Sequence, residues 1–241
     1  HVAAIGAVDV ETVRRPVTMS KHHSLLVSEL PVAIVGAGPV GLTAALALAY
    51  HGIPFRLFEA NAGLSTETKA GTTLTRTLEI WHRLGAASRV LATAMRVDEI
   101  GDIERATNRS RDSVKLHLLR DETRFPFVVN IPQHEMEPAL HDALARMHGD
   151  AIQFHHRLTS FEQLADRVRL TLDTADGPRC VEASYLLACD GGRSTVRDLL
   201  GVTVEGRSLP ERYSLVDLKV DLDVENPRDY PYLAYFSDAD E

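Results

Sequence analysis

Cysteine is almost missing from this chain: there are two, Cys180 and Cys189, in 241 residues. Two cysteines make neither a disulfide framework nor a metal-ligand pattern, and such sparse usage fits a reducing, cytoplasmic setting. Long hydrophobic runs are absent as well. The longest, Leu42 to Tyr50, is alanine-rich and falls far short of the roughly 18 residues that a membrane-spanning helix needs. Positive charge is also in short supply, with 26 Lys and Arg against 34 Asp and Glu and a net charge of −8. That balance argues against a nucleic-acid or anionic-membrane partner, either of which requires a basic face. There is no internal repeat and no low-complexity tract. What is present, 44% hydrophobic and 25% charged residues, is the composition of a globular protein with room for one large domain or one and a half.

The first 29 residues differ from the rest. His1 to Glu29 mixes Val, Thr, Arg and a His22-His23 pair without helical or strand periodicity, and reads as a disordered or extended arm. Met19 lies within it, so residues 1–18 read as an upstream extension. A signal peptide needs a positive start and a longer apolar stretch.

The first strong element is Val32-Ala33-Ile34-Val35, an unbroken apolar run that suits a parallel strand buried on both faces. Gly36-Ala37-Gly38-Pro39-Val40-Gly41 follows, then a helix from about Val40 to His51 with Gly52 placed to end it. Phe55 to Phe58 reads as a second strand ending at Glu59. Strand, glycine turn, helix and strand form one βαβ unit.

Farther along, Leu74, Leu78, Trp81 and Leu84 mark an amphipathic helix closed by Gly85, with Trp81 expected in the core. A polar, strand-prone stretch from Val97 to Val129 includes the alternating Val114, Leu116 and Leu118. Met136, Leu140, Leu144 and Met147 predict a helix with Pro138 in its first turn and Gly149 beyond its last. Ala151 to Phe154 reads as a strand, and Val168–Leu172 with Cys180–Ala183 as a hairpin around Thr174-Ala175-Asp176-Gly177. Tyr185 to Cys189 reads as a buried strand running into Asp190-Gly191-Gly192, with Ser194 capping a short helix that ends before Gly201. Leu215, Leu218, Val220, Leu222 and Val224 alternate as sheet strands.

The chemistry of Gly36-x-Gly38-x-x-Gly41 belongs to the backbone. Gly36 permits the tight turn, Gly38 lets the main chain approach a pyrophosphate, and Gly41 lets the helix pack against the sheet. The helix N-terminus then offers unpaired N–H groups and partial positive charge to the phosphates. Glu59 stands 18 residues past Gly41, where a carboxylate accepts hydrogen bonds from ribose hydroxyls and repels a 2′-phosphate. The tightly held nucleotide is therefore FAD or NAD, and the βαβ unit alone does not choose between them.

The choice comes from a resemblance. Leu187-Ala188-Cys189-Asp190-Gly191-Gly192-Arg193-Ser194-Thr195-Val196-Arg197 resembles the Asp-Gly motif of the FAD-dependent aromatic-ring monooxygenases related to p-hydroxybenzoate and phenol hydroxylases. Asp190 lies 149 residues past Gly41, similar to the spacing in that family. Lys69 to Glu79 is similar to the family's Arg-x6-Arg-Thr-Leu-Glu stretch, with Lys69 where the family has a flavin-phosphate arginine; lysine keeps the charge and loses the bidentate fork. Ile131-Pro132-Gln133-His134-Glu135-Met136-Glu137 resembles the Pro-Gln-x-x-hydrophobic-Glu segment, whose glutamine meets the flavin ribityl chain or ribose. The likeness runs from about Pro31 to Val224.

The resemblance implies an α/β fold: a Rossmann-like, GR2-type FAD-binding domain with a parallel central sheet over residues 30–200. Residues 97–130 would contribute to the substrate side, and 201–241 would begin a substrate-binding β-sheet. It implies FAD contacts from Gly36, Gly38, Pro39, Val40, Gly41, Glu59, Ala60, Lys69, Gln133, Asp190 and Arg193, with Arg197 close by. NADPH or NADH is expected as a transient co-substrate, with O2 and a small aromatic molecule as the other partners, and a homodimer is left open. In such enzymes reduced flavin captures O2 as a C4a-hydroperoxide that hydroxylates a phenol-like ring, and few side chains act as catalysts, so no catalytic residue is assigned. The family's third motif, Gly-Asp-Ala-x-His, does not occur in these 241 residues, and the reading expects an N-terminal portion of a longer enzyme. A flavin-dependent reductase or halogenase of the same fold, or an inactive nucleotide-binding fragment, are the alternatives. His134, His141 and His148 lie seven apart, but no carboxylate or cysteine grouping completes a metal site with them.

Overall fold

The computed structural model describes residues 30–67, 71–104, 106–107, 109–207 and 233–237. The chain opens with β1 (Val32–Val35), α1 (Pro39–Tyr50) and β2 (Phe55–Phe58). A long excursion then carries β3 (Thr72–Thr73), α2 (Thr75–Arg83), α3 (Ala87–Thr93), β4 (Met95–Val97), β5 (Glu99–Glu104), β6 (Arg109–Lys115) and β7 (Val128–Asn130). It returns through α4 (Gln133–His148) to β8 (Ile152–Gln153). There follow β9 (Arg157–Gln163), β10 (Val168–Thr174), β11 (Gly177–Ala183), β12 (Tyr185–Ala188), α5 (Thr195–Leu199) and β13 (Leu233–Ser237).

The central sheet is parallel, in the order β12-β1-β2-β8. β1 is buried at all four positions, and the two-residue period of a strand splits those positions between two cores. Val32 and Ile34 face a helical layer with Leu42, Leu46, Leu78, Trp81, Leu140 and Leu144. Ala33 and Val35 face an antiparallel sheet, β11-β10-β9, through Leu158, Leu170, Leu172 and Val181. The sheet is thus covered on both faces, as an all-parallel sheet requires. Two smaller sheets, β3-β7-β4 and β13-β5-β6, carry the excursion and the last described segment.

The glycine stops work as expected. At the end of α1, Ile53 N–H reaches the Leu48 carbonyl at 2.9 Å and Gly52 N–H reaches that of Ala49 at 3.0 Å. At the end of α2, Ala86 and Gly85 repeat the pattern on Trp81 and His82. These paired bonds satisfy carbonyls that a helix end would otherwise leave open. Trp81 is 2% exposed, and its indole N–H donates to Thr43 Oγ1 at 2.9 Å. That hydroxyl in turn donates to the Pro39 carbonyl at 2.7 Å, so the buried indole is satisfied and tied to the first turn of α1. The hairpin also holds: Thr174 pairs with Gly177, leaving Ala175-Asp176 as the two-residue turn.

Several elements differ from the sequence expectation. α4 starts at Gln133, so Pro138 lies in its second turn rather than its first. The polar Gln133-His134-Glu135 gives no apolar period, and the bonds from Glu135 and Met136 N–H to the Pro132 carbonyl set the start. The alternation of Val114, Leu116 and Leu118 does not continue as a strand. β6 stops at Lys115, residues Leu116–Leu119 form a 3-10 turn, and Leu118 is exposed. β12 is not buried: Tyr185 is 69% exposed, and the strand forms an edge of the sheet among the described residues. α3 and β9 were not anticipated. β9 buries only Leu158 fully, too little to print a strand period. The expected strands between Leu215 and Val224, and the arm over residues 1–29, lie outside the described residues.

The tightest packing is at the α1 entrance. A Cβ on Gly41 would stand 1.8 Å from the Gly36 carbonyl oxygen. Gly41→Ala should therefore separate helix from turn and destabilise the fold by about 2 kcal/mol or more. Urea unfolding reads this directly, and a midpoint equal to that of the unaltered protein would contradict the packing.

Candidate functional site

In open parallel sheets, ligands gather beyond the carboxyl ends of the strands. Here the ends of β2, β1 and β12 lie side by side, with Phe58, Val35 and Ala188 in register. Two backbone bonds extend the register by one residue on either side of β1. Gly36 N–H donates to the Phe58 carbonyl at 2.8 Å, and Cys189 N–H donates to the Val35 carbonyl at 2.8 Å. The glycine turn is thereby set against Asp190-Gly191, although 149 residues separate Gly41 from Asp190.

The three glycines have different physical tasks. Gly36 has φ +100°, and a Cβ there would lie 2.3 Å from the Cys189 carbonyl oxygen and 3.0 Å from Asp190 Cα. Its bareness serves the approach of β12 as well as the turn. Gly41 serves the contact of α1 with Gly36. Gly38 is different: its φ of −69° is open to any residue, and among the described residues an added Cβ would meet only Glu137 Oε1, at 3.8 Å. None of the described residues demands a glycine there. The space it leaves is a cradle in which a ligand can approach the main chain.

Gly38 is the N-cap of α1 and makes no side-chain cap bond; Pro39 occupies the first helical position, and no acid sits in the first turn. The first intrahelical bond runs from Leu42 N–H to the Gly38 carbonyl. The Val40 and Gly41 N–H groups precede it, at the end of the helix where donors lack intrahelical partners. Together they offer directed donors and partial positive charge to an anion. Val40 leaves its side chain 68% exposed at the same end.

Glu59 follows β2 directly. Its Oε2 accepts from Ala37 N–H at 2.8 Å, inside the glycine turn. Its Oε1 accepts from Asn61 N–H at 2.9 Å and Asn61 Nδ2 at 2.8 Å. These bonds aim a carboxylate at the turn and leave lone pairs for further donors. The half-buried Ala60 comes next.

Gln133 begins α4 and is 7% exposed. Its Nε2 donates to Glu137 Oε1 at 2.6 Å, while Glu137 Oε2 accepts from Ser65 N–H at 2.8 Å. Glu137 is 1% exposed and stands beside Gly38, yet the sequence reading gave it no role. Its sequence signals were its place at the end of the Pro-Gln-x-x-hydrophobic-Glu segment and the Gln-to-Glu spacing of four, which puts both side chains on one helix face.

Asp190 lies at the turn, and both its oxygens are engaged by the start of α5. Oδ1 accepts from Ser194 Oγ at 2.6 Å and Oδ2 from Val196 N–H at 3.1 Å. Ser194 is the N-cap, as expected, accepting from Arg197 N–H at 3.1 Å. Arg197 donates back to the Gly192 carbonyl at 3.0 Å. Arg193 is exposed and, among the described residues, carries no ion pair. The half-buried Cys189 thiol is pushed above its ordinary pKa by burial and by Asp190. It stays a neutral, weakly reactive packing group. Lys69 lies outside the described residues. Clefts of about 460 and 420 Å³ occur elsewhere, and neither includes Gly38 or Glu59.

A parallel sheet, a glycine turn leading into a helix, and a carboxylate held at that turn define a dinucleotide-binding α/β domain. The family model described as "FAD binding domain" matches residues 29–241, and the chain belongs to that family. It is 34% identical over 203 residues to tetracenomycin B2 monooxygenase-dioxygenase of Streptomyces olivaceus, covering 74% of this chain and 37% of that one. It is 32% identical over 196 residues to 3-(3-hydroxy-phenyl)propionate/3-hydroxycinnamic acid hydroxylase of Mycobacterium sp. (strain JLS), covering 80% and 33%. The fold is similar to the crystal structure of the flavin-dependent monooxygenase PieE in complex with FAD and substrate. There the TM-score is 0.65 and the identity 31%, over 74% of this chain and 33% of that one. The chain spans about a third of the length of these curated relatives. The α/β class and the FAD expectation are borne out, and the resemblance to flavin-dependent monooxygenases extends to proteins that carry that name.

Gly38 gives the sharpest test of the cradle. Gly38→Ala should change stability by no more than about 1 kcal/mol, the scale of an altered N-cap. It should weaken FAD binding by about tenfold or more, because the new Cβ occupies the pyrophosphate approach. Fluorescence titration with FAD beside urea unfolding separates the two effects; intact affinity would remove Gly38 from the site.

Proposed function

We propose that this chain is the FAD-holding part of an NAD(P)H-dependent monooxygenase that hydroxylates a small, phenol-like aromatic substrate. The observation that carries the reading is the meeting of Gly36, Glu59 and Asp190 at one end of the parallel sheet. The names of the similar proteins, monooxygenases and hydroxylases of aromatic compounds, support its chemical half.

Bound there, FAD supplies two-electron redox chemistry and the activation of dioxygen. The chain's residues hold and orient it. Val40 and Gly41 N–H groups donate to the pyrophosphate, which Gly38 admits and whose approach Pro39 leaves free of a competing acid. Glu59 accepts from the adenosine ribose hydroxyls while Ala37 and Asn61 fix its carboxylate. Ala60 lines the same turn, and Gln133 meets the ribityl chain. Lys69 adds charge at the phosphates. Asp190 holds Ser194 and the start of α5, where Arg197 bonds back to the Gly192 carbonyl, and Arg193 and Arg197 add positive charge at the mouth of the site. The β3-β7-β4 and β13-β5-β6 sheets, whose strands β5, β6 and β7 lie within residues 97–130, form the substrate side. NADPH or NADH binds transiently, O2 is the oxidant, and a homodimer is the assembly to look for.

The full-length protein that contains this chain should be yellow with bound flavin and should couple NAD(P)H oxidation to hydroxylation across a panel of phenols, whereas these 241 residues alone should bind flavin poorly and turn nothing over. Colourless protein that cannot be reconstituted with FAD would refute the cofactor reading. Nucleotide oxidation with no oxygenated product from any phenol would point instead to a reductase of the same fold.

A further inference from the structure

Arg56 and Phe58 lie two residues apart on β2 and share one face of the central sheet. Phe58 packs there against Leu172 and Val181 of the antiparallel sheet. On that sheet Arg179 stands opposite Leu172 in the register and shares a face with Val181. Both arginines are thus directed into the space between the two sheets. Half-buried Arg56 donates from Nη2 to Gln153 Oε1 at 3.0 Å, and its guanidinium lies 5.1 Å from the Phe58 ring centroid. Both of those partners are neutral. Burial, with the charge of Arg179 added to it, pushes Arg56 below its ordinary pKa. Among the described residues no carboxylate forms an ion pair with either arginine. By contrast, Arg167 and Arg169 on the same sheet's side share Glu182.

A cleft of about 420 Å³ opens beside Arg179, between the β10-β11 turn and the loop after β8. Its walls are held in place. His155 N–H and His156 N–H donate to the Asn61 and Glu59 carbonyls, at 3.0 and 2.9 Å. The His156 ring stacks on Phe58 at 5.8 Å, with Nδ1 2.6 Å from the Phe154 carbonyl. Across the cleft, Thr174 Oγ1 donates to the Gly177 carbonyl at 2.7 Å. Asp176 is the one acid among the lining residues, and it leaves Arg179 unpaired. Two like charges held close without a counterion repel each other, and an anion between them removes that cost. Guanidinium forks match the oxygens of phosphate. We propose that this cleft is a second anion site, apart from the glycine turn, which takes the phosphate group of a small phosphate monoester between Arg179 and Arg56.

Equilibrium dialysis of labelled inorganic phosphate against the full-length protein that contains this chain tests it. FAD is kept in excess so that the α1 N-terminus is occupied, and ionic strength is fixed. One phosphate should bind saturably, and glycerol 3-phosphate should displace it at least as well as sulfate and far better than acetate. Arg179→Gln, at an exposed position, should weaken binding by about tenfold or more, the scale of a lost charge-assisted pair. Arg56→Gln should do the same. Where it does not fold, Arg56→Lys keeps the charge without the fork and should weaken binding severalfold. Arg169→Gln, on the outer face of β10 and paired with Glu182, should leave affinity unchanged. Absence of saturable binding, binding that survives Arg179→Gln, or an equal loss in Arg169→Gln overturns the site. Displacement by acetate as strong as by sulfate, or none by glycerol 3-phosphate, overturns the phosphate-monoester assignment.

Discussion

The contact between Gly36 and the Cys189 carbonyl is the constraint on which the site depends. β1 is only four residues long, and at its end the chain must reverse into α1 while β12 passes within contact distance. A side chain at Gly36 would lie 2.3 Å from the Cys189 carbonyl oxygen, closer than non-bonded atoms approach. With glycine there, Val35 and Gly36 bond outward to both neighbouring strands, through the Cys189 N–H and the Phe58 carbonyl. Those two bonds bring together the first glycine motif, the acid after β2 and the Asp-Gly turn. Without them the three motifs would be separate features of a long chain.

From that contact follows a division of labour that the consensus pattern hides. All three glycines look equivalent as letters. In the structure two are demanded by protein packing, Gly36 against β12 and Gly41 against the Gly36 carbonyl, while Gly38 is demanded by none of the described residues. A glycine that the fold does not need is evidence for a ligand. This is a stronger argument than the motif, because it concerns a volume kept open rather than a spacing that recurs by chance.

Much of this architecture was legible in sequence because its signals are local. The unbroken run at Val32–Val35, the glycine stops at Gly52 and Gly85, and the two-residue turn at Ala175-Asp176 each state their structure within a few residues. What was misread depends on neighbours far away. The apolar Tyr185–Ala188 looks like a core strand, but side-chain burial is set by what packs on a strand's faces, and among the described residues little covers β12. β9 buries Leu158 alone, and α3 is too short to display a helical period. Glu137 was visible only as one letter of a segment; its importance comes from Ser65, 72 positions away, and from its nearness to Gly38. Long-range polar contacts leave no periodic trace.

The electrostatics of the site reconcile an acidic chain with an anionic ligand. The protein carries a net charge of −8, and Glu59, Glu137 and Asp190 all stand around the glycine turn. Each of these carboxylates is met by main-chain N–H groups: Glu59 by Ala37 and Asn61, Glu137 by Ser65, Asp190 by Val196. Backbone dipoles therefore offset the negative side chains locally, and among the described residues no cation pairs with them. The donors that remain at the α1 N-terminus, with no acid in its first turn, are the ones available to a pyrophosphate. The carboxylate of Glu59 keeps lone pairs that a phosphate-binding cation would not offer. An overall negative charge thus presents no obstacle to binding a dinucleotide, because recognition here is governed by the few oriented groups within reach of the ligand rather than by the sum over the chain.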